Sequence, residues 1–207
     1  PASGGAKDSD LVIREYMRSA SQALSELAPF QTFYAEGREV TIDRIDLRAK
    51  DLSEWRFCPV CSHAEAEQTA GTHAVCPRCS SPMWADIGGR AETVALRSVI
   101  ATSTEQKSAI RDLDSRTTRH YDRSIFPSYG DEDVSFAYAI PEATSLGPFG
   151  FEFVAQCEFR DVNFGPRTAG RGGRTVAGEQ RQSRPFPICR ECGKLQTDLQ
   201  KEHGEHQ

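Results

Sequence analysis

Near the start of the chain, hydrophobic residues recur at alternating steps of four and three, which predicts an amphipathic helix. Ser9 or Asp10 can cap this helix at its start, and Pro29 ends it close to Ala28. Packing of the apolar stripe on the protein's own core is favoured over a helix that exchanges between partners. The stripe consists of Ile13, Met17, Ala20, Leu24 and Leu27.

Two β-prone runs follow, at 32–34 and 40–47, on either side of a glycine-containing turn. This arrangement predicts a β-hairpin whose second strand continues through Trp55 and Phe57. A further strand is expected within 91–102. The polar stretch that comes next fits a helix or a loop equally well.

The most regular alternation of apolar and polar residues covers 149–159 and predicts one strand with a buried face. Cys157 falls on the apolar side, so we expect it to be a small core residue. By contrast, 165–185 holds five arginines, five glycines and one glutamate. That composition predicts a flexible basic loop that builds no core.

Four cysteines, Cys58, Cys61, Cys76 and Cys79, are spaced C-x2-C-x14-C-x2-C, and each pair lies in a short turn that includes proline. Four thiolates suit the tetrahedral preference of Zn²⁺, so the pattern predicts a zinc ribbon. Two disulfides or four free buried thiols are the alternatives. A closed four-thiolate site is structural, because it leaves no position for water or substrate.

A second metal signal stands near the end of the chain, where Cys189 and Cys192 form a third C-x2-C turn followed by Gly193. His203 and His206 could complete a site, although their two-residue spacing is unusual for zinc. The open alternatives are a solvated tail, a ligand beyond the last residue, or a metal shared with the first turn.

The amino-acid composition limits the classes of protein to which the chain can belong. The chain has 207 residues, a net charge of −5 and seven cysteines, six of them in C-x2-C pairs. This favours metal binding in a reducing compartment over a disulfide framework, and no apolar run is long enough to span a membrane. Residues 1–9 are small and polar, as expected for a linker inside a longer protein.

The sequence predicts no catalytic residue and no small-molecule substrate, because it has neither a phosphate-binding loop nor a recognisable nucleophile–base pattern. Arginines in the glycine-rich segment could nevertheless contact the phosphates of DNA, and each such contact would steepen the salt dependence of binding. These candidates are Arg167, Arg171, Arg174, Arg181 and Arg184.

The expected fold class is α+β: a small, mostly antiparallel sheet with an N-terminal helix, an inserted zinc ribbon and a possible second zinc turn. The expected organisation is a linker (1–9), a helix plus hairpin (10–54), the zinc ribbon (55–88), an α+β core (89–164), the glycine–arginine loop (165–185) and a C-terminal zinc turn that is complete or cut short (186–207).

With these motifs in view, the chain resembles the C-terminal cysteine-cluster region of superfamily 2 DEAD/DEAH-type DNA helicases, the MrfA/YprA-like group and relatives in bacterial defence systems. The phrases that carry the resemblance are T-F-Y-A-E-G-R-E-V-T-I-D-R-I-D-L, W-R-F-C-P-V-C, C-P-R-C-S-S-P-M-W, F-G-F-E-F, F-R-D-V-N-F-G and I-C-R-E-C-G-K-L-Q. The resemblance implies a bacterial, cytoplasmic, ATP-driven translocase acting on DNA in repair or phage defence, and zinc at all three cysteine pairs.

The helicase motor itself is absent from these residues. We therefore expect a noncatalytic accessory module that contacts DNA, braces the motor domains or docks a partner subunit. The alternative is a stand-alone zinc-ribbon adaptor for another protein. A zinc-dependent hydrolase is disfavoured, because it needs an open metal position and a general base.

Overall fold

The computed structural model describes residues 13–48, 51–102, 120–140, 149–169 and 173–196. Over these residues the fold is α+β, with two short helices and small antiparallel sheets, which confirms the predicted class. The α-helices are α1 (Ala20–Glu26) and α2 (Glu67–Ala70), and short 3-10 helices lie at Pro82–Ala85, Ile87–Gly89 and Asp131–Asp133. The strands are β1 (Thr32–Ala35), β2 (Arg38–Thr41), β3 (Arg44–Ile45), β4 (Leu52–Phe57), β5 (Ala64–Ala66), β6 (Arg90–Val94), β7 (Val99–Ile100), β8 (Tyr121–Ser128), β9 (Val134–Ile140), β10 (Phe149–Val154), β11 (Glu158–Pro166), β12 (Arg174–Val176) and β13 (Glu179–Arg181). In the described part of the chain, no helix has both the length and the apolar character needed to cross a bilayer.

A three-stranded sheet, in the order β5–β4–β6, leads directly into the cysteine-rich region. The remaining strands form pairs, namely β1–β2, β3–β7, β8–β11, β9–β10 and β12–β13. The main buried cluster joins several of these units: Phe57 of β4 lies 5.0 Å from Phe126 of β8 and 5.3 Å from Phe164 of β11, measured between ring centroids. Val176 of β12 completes the cluster. Aromatic packing therefore connects strands that are far apart in the sequence.

The β1–β2 hairpin confirms the turn predicted between the first two β-prone runs, but the predicted continuation of its second strand through Trp55 and Phe57 is wrong, because β2 ends at Thr41 and β4 belongs to another sheet. Glu36 and Gly37 both have positive φ angles, 51° and 72°. Two such residues form the tight turn whose twist matches that of antiparallel strands.

The N-terminal helix is much shorter than the apolar stripe predicts. The described residues before Ala20 are not helical, and Ile13 and Met17 are exposed to solvent. Instead, α1 is held against β11 by polar groups, with Asn163 Nδ2 donating a hydrogen bond to the C=O of Leu24. A short helix is only marginally stable in water unless its apolar face packs on another element. Because Ile13 and Met17 are exposed, they do not stabilise a helix that begins before Ala20.

The single strand predicted for 149–159 is wrong, because two strands occupy that stretch. The register shifts at the end of β10, and the chain then changes partner from β9 to β8. The expected buried face is also wrong: Phe151, Phe153 and Phe159 are each more than half exposed. Cys157 is partly exposed, so it is not the buried core residue that the alternation suggested.

The flexible loop predicted for 165–185 is wrong where the chain is described, since β12 and β13 form a hairpin there. Val176 is fully buried. The hairpin turn rests on the first cysteine turn, where the N–H of Ala177 donates to the C=O of Cys58 at 2.9 Å. A long-range hydrogen bond and a buried side chain thus order a segment whose composition alone suggests disorder.

Candidate metal centre

Two backbone turns bring four thiols together. The turn between β4 and β5 supplies Cys58 and Cys61, and the turn after α2 supplies Cys76 and Cys79; their Sγ atoms all lie within 4.8 Å of one another. The Sγ atoms of Cys58 and Cys79 are 3.6 Å apart, and those of Cys61 and Cys76 are 3.7 Å apart. Thiolates about 2.3 Å from a tetrahedral ion would be about 3.8 Å from each other. The spacing fits a metal ion, and all four cysteines are free of disulfides.

Both turns present backbone N–H groups to sulfur. In each turn the N–H of the first cysteine donates to the C=O five residues later. These bonds join Cys58 to His63 at 2.9 Å and Cys76 to Ser81 at 3.0 Å. The closed turn then aims the N–H groups of Val60 and Cys61 at the Sγ of Cys58, at 3.4 and 3.5 Å. Such donors stabilise a thiolate, which is the form that binds metal.

The thiols of the cluster have unequal acidities. Burial raises the pKa of Cys61 and of Cys76. Burial also acts to raise the pKa of Cys79, but hydrogen bonds from the N–H of Ser81 and from the neighbouring thiols outweigh it and lower that pKa. Crowded sulfurs of this kind hold several negative charges only when a cation sits among them, and a coordinated thiol is deprotonated outright.

The surroundings of the cluster contain little apolar material. Trp84 is fully buried, its indole N–H donates to the C=O of Ala70 at 3.3 Å, and the guanidinium of Arg56 lies over its ring. Arg56 also pairs with Glu67 of α2. The buried cluster here is Cys58, Ala70, Cys76 and Trp84. Two of these four buried residues are themselves candidate metal ligands, so few other apolar side chains hold this region together. A bound metal would therefore supply much of the stability that a hydrophobic core supplies elsewhere.

The third C-x2-C turn repeats the backbone of the first two. The N–H of Cys189 donates to the C=O of Lys194, five residues later, at 2.9 Å. The N–H groups of Cys192 and Glu191 point at the Cys189 sulfur and lower its pKa. Gly193 has a φ of 71°. Ser80, which holds the same position in the second turn, is also left-handed, with a φ of 58°. The pair therefore has the geometry of half a metal site.

His203 and His206, the expected partners of this pair, lie outside the described residues, so the four-ligand site remains a prediction. Within the described ranges, no third cysteine, histidine or carboxylate joins Cys189 and Cys192 in a metal-sized cluster. The turn itself is firmly placed, because the N–H of Ile45 in β3 donates to the C=O of Gly193 at 2.9 Å.

The candidate DNA-binding arginines have different environments. Arg171 lies outside the described residues. Arg181 is buried and forms ion pairs with Asp122 and Glu179, so its guanidinium is not exposed to a phosphate. Arg174 is partly buried, which lowers its pKa. It lines a cavity of about 970 Å³.

Arg167 and Arg184 are exposed, and the two chain segments that carry them are hydrogen-bonded to each other. The N–H of Arg184 donates to the C=O of Pro166 at 3.1 Å, and a β-bridge joins Arg167 to Ser183. Neither arginine forms an ion pair with an acid in the described ranges. Of the predicted set, these two present positive charge to solvent.

Sequence reasoning missed Arg78, which lies inside the second cysteine turn. Its guanidinium is 4.5 Å from the ring centroid of Tyr129, and Nη2 lies 3.2 Å from Oε2 of Glu152. These partners are 51 and 74 residues away in the sequence, so no local sequence pattern predicts the contacts. The contact connects the metal centre to the β9–β10 hairpin.

Comparison of the chain with protein families, with characterised proteins and with solved structures finds no match. The function must therefore be inferred from the thiol cluster, the exposed arginines and the surfaces around them.

Proposed function

We propose that the chain is a zinc-bound accessory module of an ATP-dependent DNA helicase or translocase, without catalysis of its own. The observation that carries this proposal is the set of four thiols at tetrahedral spacing. Four thiolates satisfy Zn²⁺ completely and leave no open position for water or substrate, so the metal would hold the ribbon in shape. The resemblance in the cysteine turns and in 32–47 supports a place beside a helicase motor in the cytoplasm, in DNA repair or phage defence.

The module would meet DNA through phosphates. Arg167 and Arg184 support this, because they are exposed, lie on two hydrogen-bonded segments and form no ion pair with an acid in the described part of the chain. The net charge of −5 means that such contact would be local. Arg174 is close in sequence but partly buried, so it would add little to the contact.

The test is the salt dependence of binding to a fluorescent DNA oligonucleotide. We expect a linear fall of log affinity with log salt, and a slope smaller by about 2 when Arg167 and Arg184 are both replaced by alanine. Arg190→Ala is the matched control, because that exposed arginine is already paired with Glu92. An unchanged slope in the double variant would remove this surface from the DNA path.

The second candidate function is a zinc-ribbon adaptor that recruits another protein. The exposed aromatic residues of the β9–β10 hairpin favour it. Absence of DNA binding even at low salt would favour the adaptor over the DNA-contacting module.

A further inference from the structure

A cavity of about 970 Å³ lies among strands β4, β6 and β11 and the β12–β13 hairpin. Its volume is near the upper end of the range for small-molecule sites in proteins, which is about 300–1,000 Å³. Half-buried aromatic rings contribute to its walls, namely those of Trp55 in β4 and Phe186 after β13. The cavity therefore combines the volume and the apolar surface that a small organic ligand needs.

The charged side chains that line the cavity are mostly positive. The two acids among them, Glu92 and Asp161, are both engaged elsewhere. Glu92 pairs with Arg190 at 3.0 Å, and Asp161 pairs with Arg123. Neither of these arginine partners lines the cavity. The cavity is therefore a local site of positive charge in a chain whose net charge is −5. The lining arginines are Arg90, Arg160, Arg174 and Arg181.

Arg174 is the lining arginine that lacks a counter-charge, since it forms no ion pair with an acid in the described ranges. It stands directly opposite Arg181 in the antiparallel register of the hairpin, so the two side chains share a face. The charge of Arg181 is compensated by Asp122 and Glu179. Arg174 is partly buried instead, and this burial lowers its pKa. Because like charges opposite each other repel and a buried charge is costly unless it is paired, an anion in the cavity would stabilise Arg174.

The groups around the cavity indicate which anion fits. A guanidinium matches the geometry of a phosphate, to which it donates two parallel hydrogen bonds. Aromatic rings such as Trp55 offer a flat surface on which a planar base stacks. The guanidinium of Arg160 lies 4.4 Å from the centroid of the Trp55 ring, so positive charge and aromatic surface are side by side. Both lining acids are already paired, so no free carboxylate among the described lining residues is left for the Mg²⁺ that accompanies nucleoside di- and triphosphates.

We propose that this cavity binds a nucleoside monophosphate, with the phosphate on Arg174 and the base against the aromatic wall that includes Trp55. The nucleotide is either free in solution or the terminal nucleotide of a DNA strand, since both carry the same phosphate and base. The proposal does not depend on DNA contact by Arg167 and Arg184, because neither of these residues lines the cavity.

The test titrates the intact chain with the common ribonucleoside 5′-monophosphates by isothermal titration calorimetry. The comparison ligands are the nucleosides without phosphate, inorganic phosphate, and decanoate as an apolar anion. Arg174→Gln removes the proposed phosphate ligand. Arg44→Gln is the matched control, because it removes the same charge from an exposed strand residue outside the cavity. Trp55→Leu removes part of the aromatic wall, and circular dichroism and metal content verify that each variant is folded.

We expect one monophosphate to bind per chain, at least about tenfold more tightly than its nucleoside, because only the phosphate can accept hydrogen bonds as a charged group. Arg174→Gln should weaken this binding about tenfold, and Arg44→Gln should leave it unchanged. Trp55→Leu should weaken the binding of the monophosphate but not that of inorganic phosphate. Competition by a 5′-phosphorylated oligonucleotide would identify the ligand as a strand end, and lack of competition would identify it as a free nucleotide.

Three results would overturn the proposal. One is equal affinity for the monophosphate in Arg174→Gln and Arg44→Gln, because the cavity arginine would then not hold the phosphate. Another is tighter binding of decanoate or of a nucleoside, because the ligand would then be an apolar anion or an uncharged ring. The third is the absence of binding by every monophosphate at millimolar concentration.

Discussion

Replacing Asp122 with alanine would leave the buried guanidinium of Arg181 without its main counter-charge. Nη1 of Arg181 lies 2.5 Å from Oδ1 of Asp122, and the two side chains are only 8% and 6% exposed. Glu179, which also pairs with Arg181, is 75% exposed. The two acids therefore offer an internal comparison between a buried and a solvent-screened partner of one arginine.

Breaking a buried ion pair from one side costs about 3–5 kcal/mol of folding stability, because a charge remains buried and uncompensated. Truncating an exposed partner costs about 1 kcal/mol or less. We expect Asp122→Ala to fall in the first range and Glu179→Ala in the second. For a chain of this length, the larger loss lowers the melting temperature by about 10 °C.

The assay is urea unfolding of the metal-bound protein, followed by tryptophan fluorescence and far-ultraviolet circular dichroism. A double variant, Asp122→Leu with Arg181→Met, removes both charges and should recover much of the stability lost in Asp122→Ala. If Asp122→Ala costs no more than Glu179→Ala, the β12–β13 hairpin is not packed on β8. The glycine–arginine segment would then be the loop that its composition predicts.

Two further predictions test other parts of the fold. Gly193→Ala should lower the free energy of unfolding by about 2–3 kcal/mol, because the new Cβ would lie 2.0 Å from the C=O oxygen of Ile45 and the residue would also be strained in the left-handed region. Gly37 has nearly the same φ but open space around it. Gly37→Ala should therefore lower the free energy of unfolding by only about 1 kcal/mol in the same urea titration. The hydrogen bond from Arg97 lowers the pKa of Asp51 below 3.8, so its stabilising contribution is present above that pH and is lost as the pH falls through the lowered pKa. The difference in melting temperature between the natural protein and Asp51→Asn should therefore shrink below pH 3.8, and a difference that stays constant into acid would contradict this.

The sequence predicts well those parts of the structure that are formed by interactions between residues close together in the chain. A C-x2-C turn places its own N–H groups at its own sulfur, and spacing alone reveals the cluster of Cys58, Cys61, Cys76 and Cys79. The β1–β2 hairpin is also local, since Glu36 and Gly37 form its turn without help from the rest of the chain.

The errors come from contacts that are distant in sequence. Alternation in 149–159 correctly separates an apolar face from a polar one, but it does not say whether the rest of the chain buries the apolar face, and Phe151 and Phe153 are both more than half exposed. The β12–β13 hairpin is tied to β8 by the ion pair of Arg181 with Asp122, which is 59 residues away in the sequence. The amino-acid composition of a segment cannot predict an ion-pair partner that is so far away in the sequence.

The measurement that tests the central claim most directly is zinc per chain, determined by elemental analysis before and after mild chelation. We expect at least one firmly held zinc, lost in Cys76→Ser and retained in Cys157→Ser, whose cysteine lies outside the cluster. A second zinc that disappears in Cys189→Ser would mean that the third turn completes its own site, with His203 and His206 as the expected ligands. A protein that holds no zinc, or that keeps all its zinc in Cys76→Ser, would contradict the account.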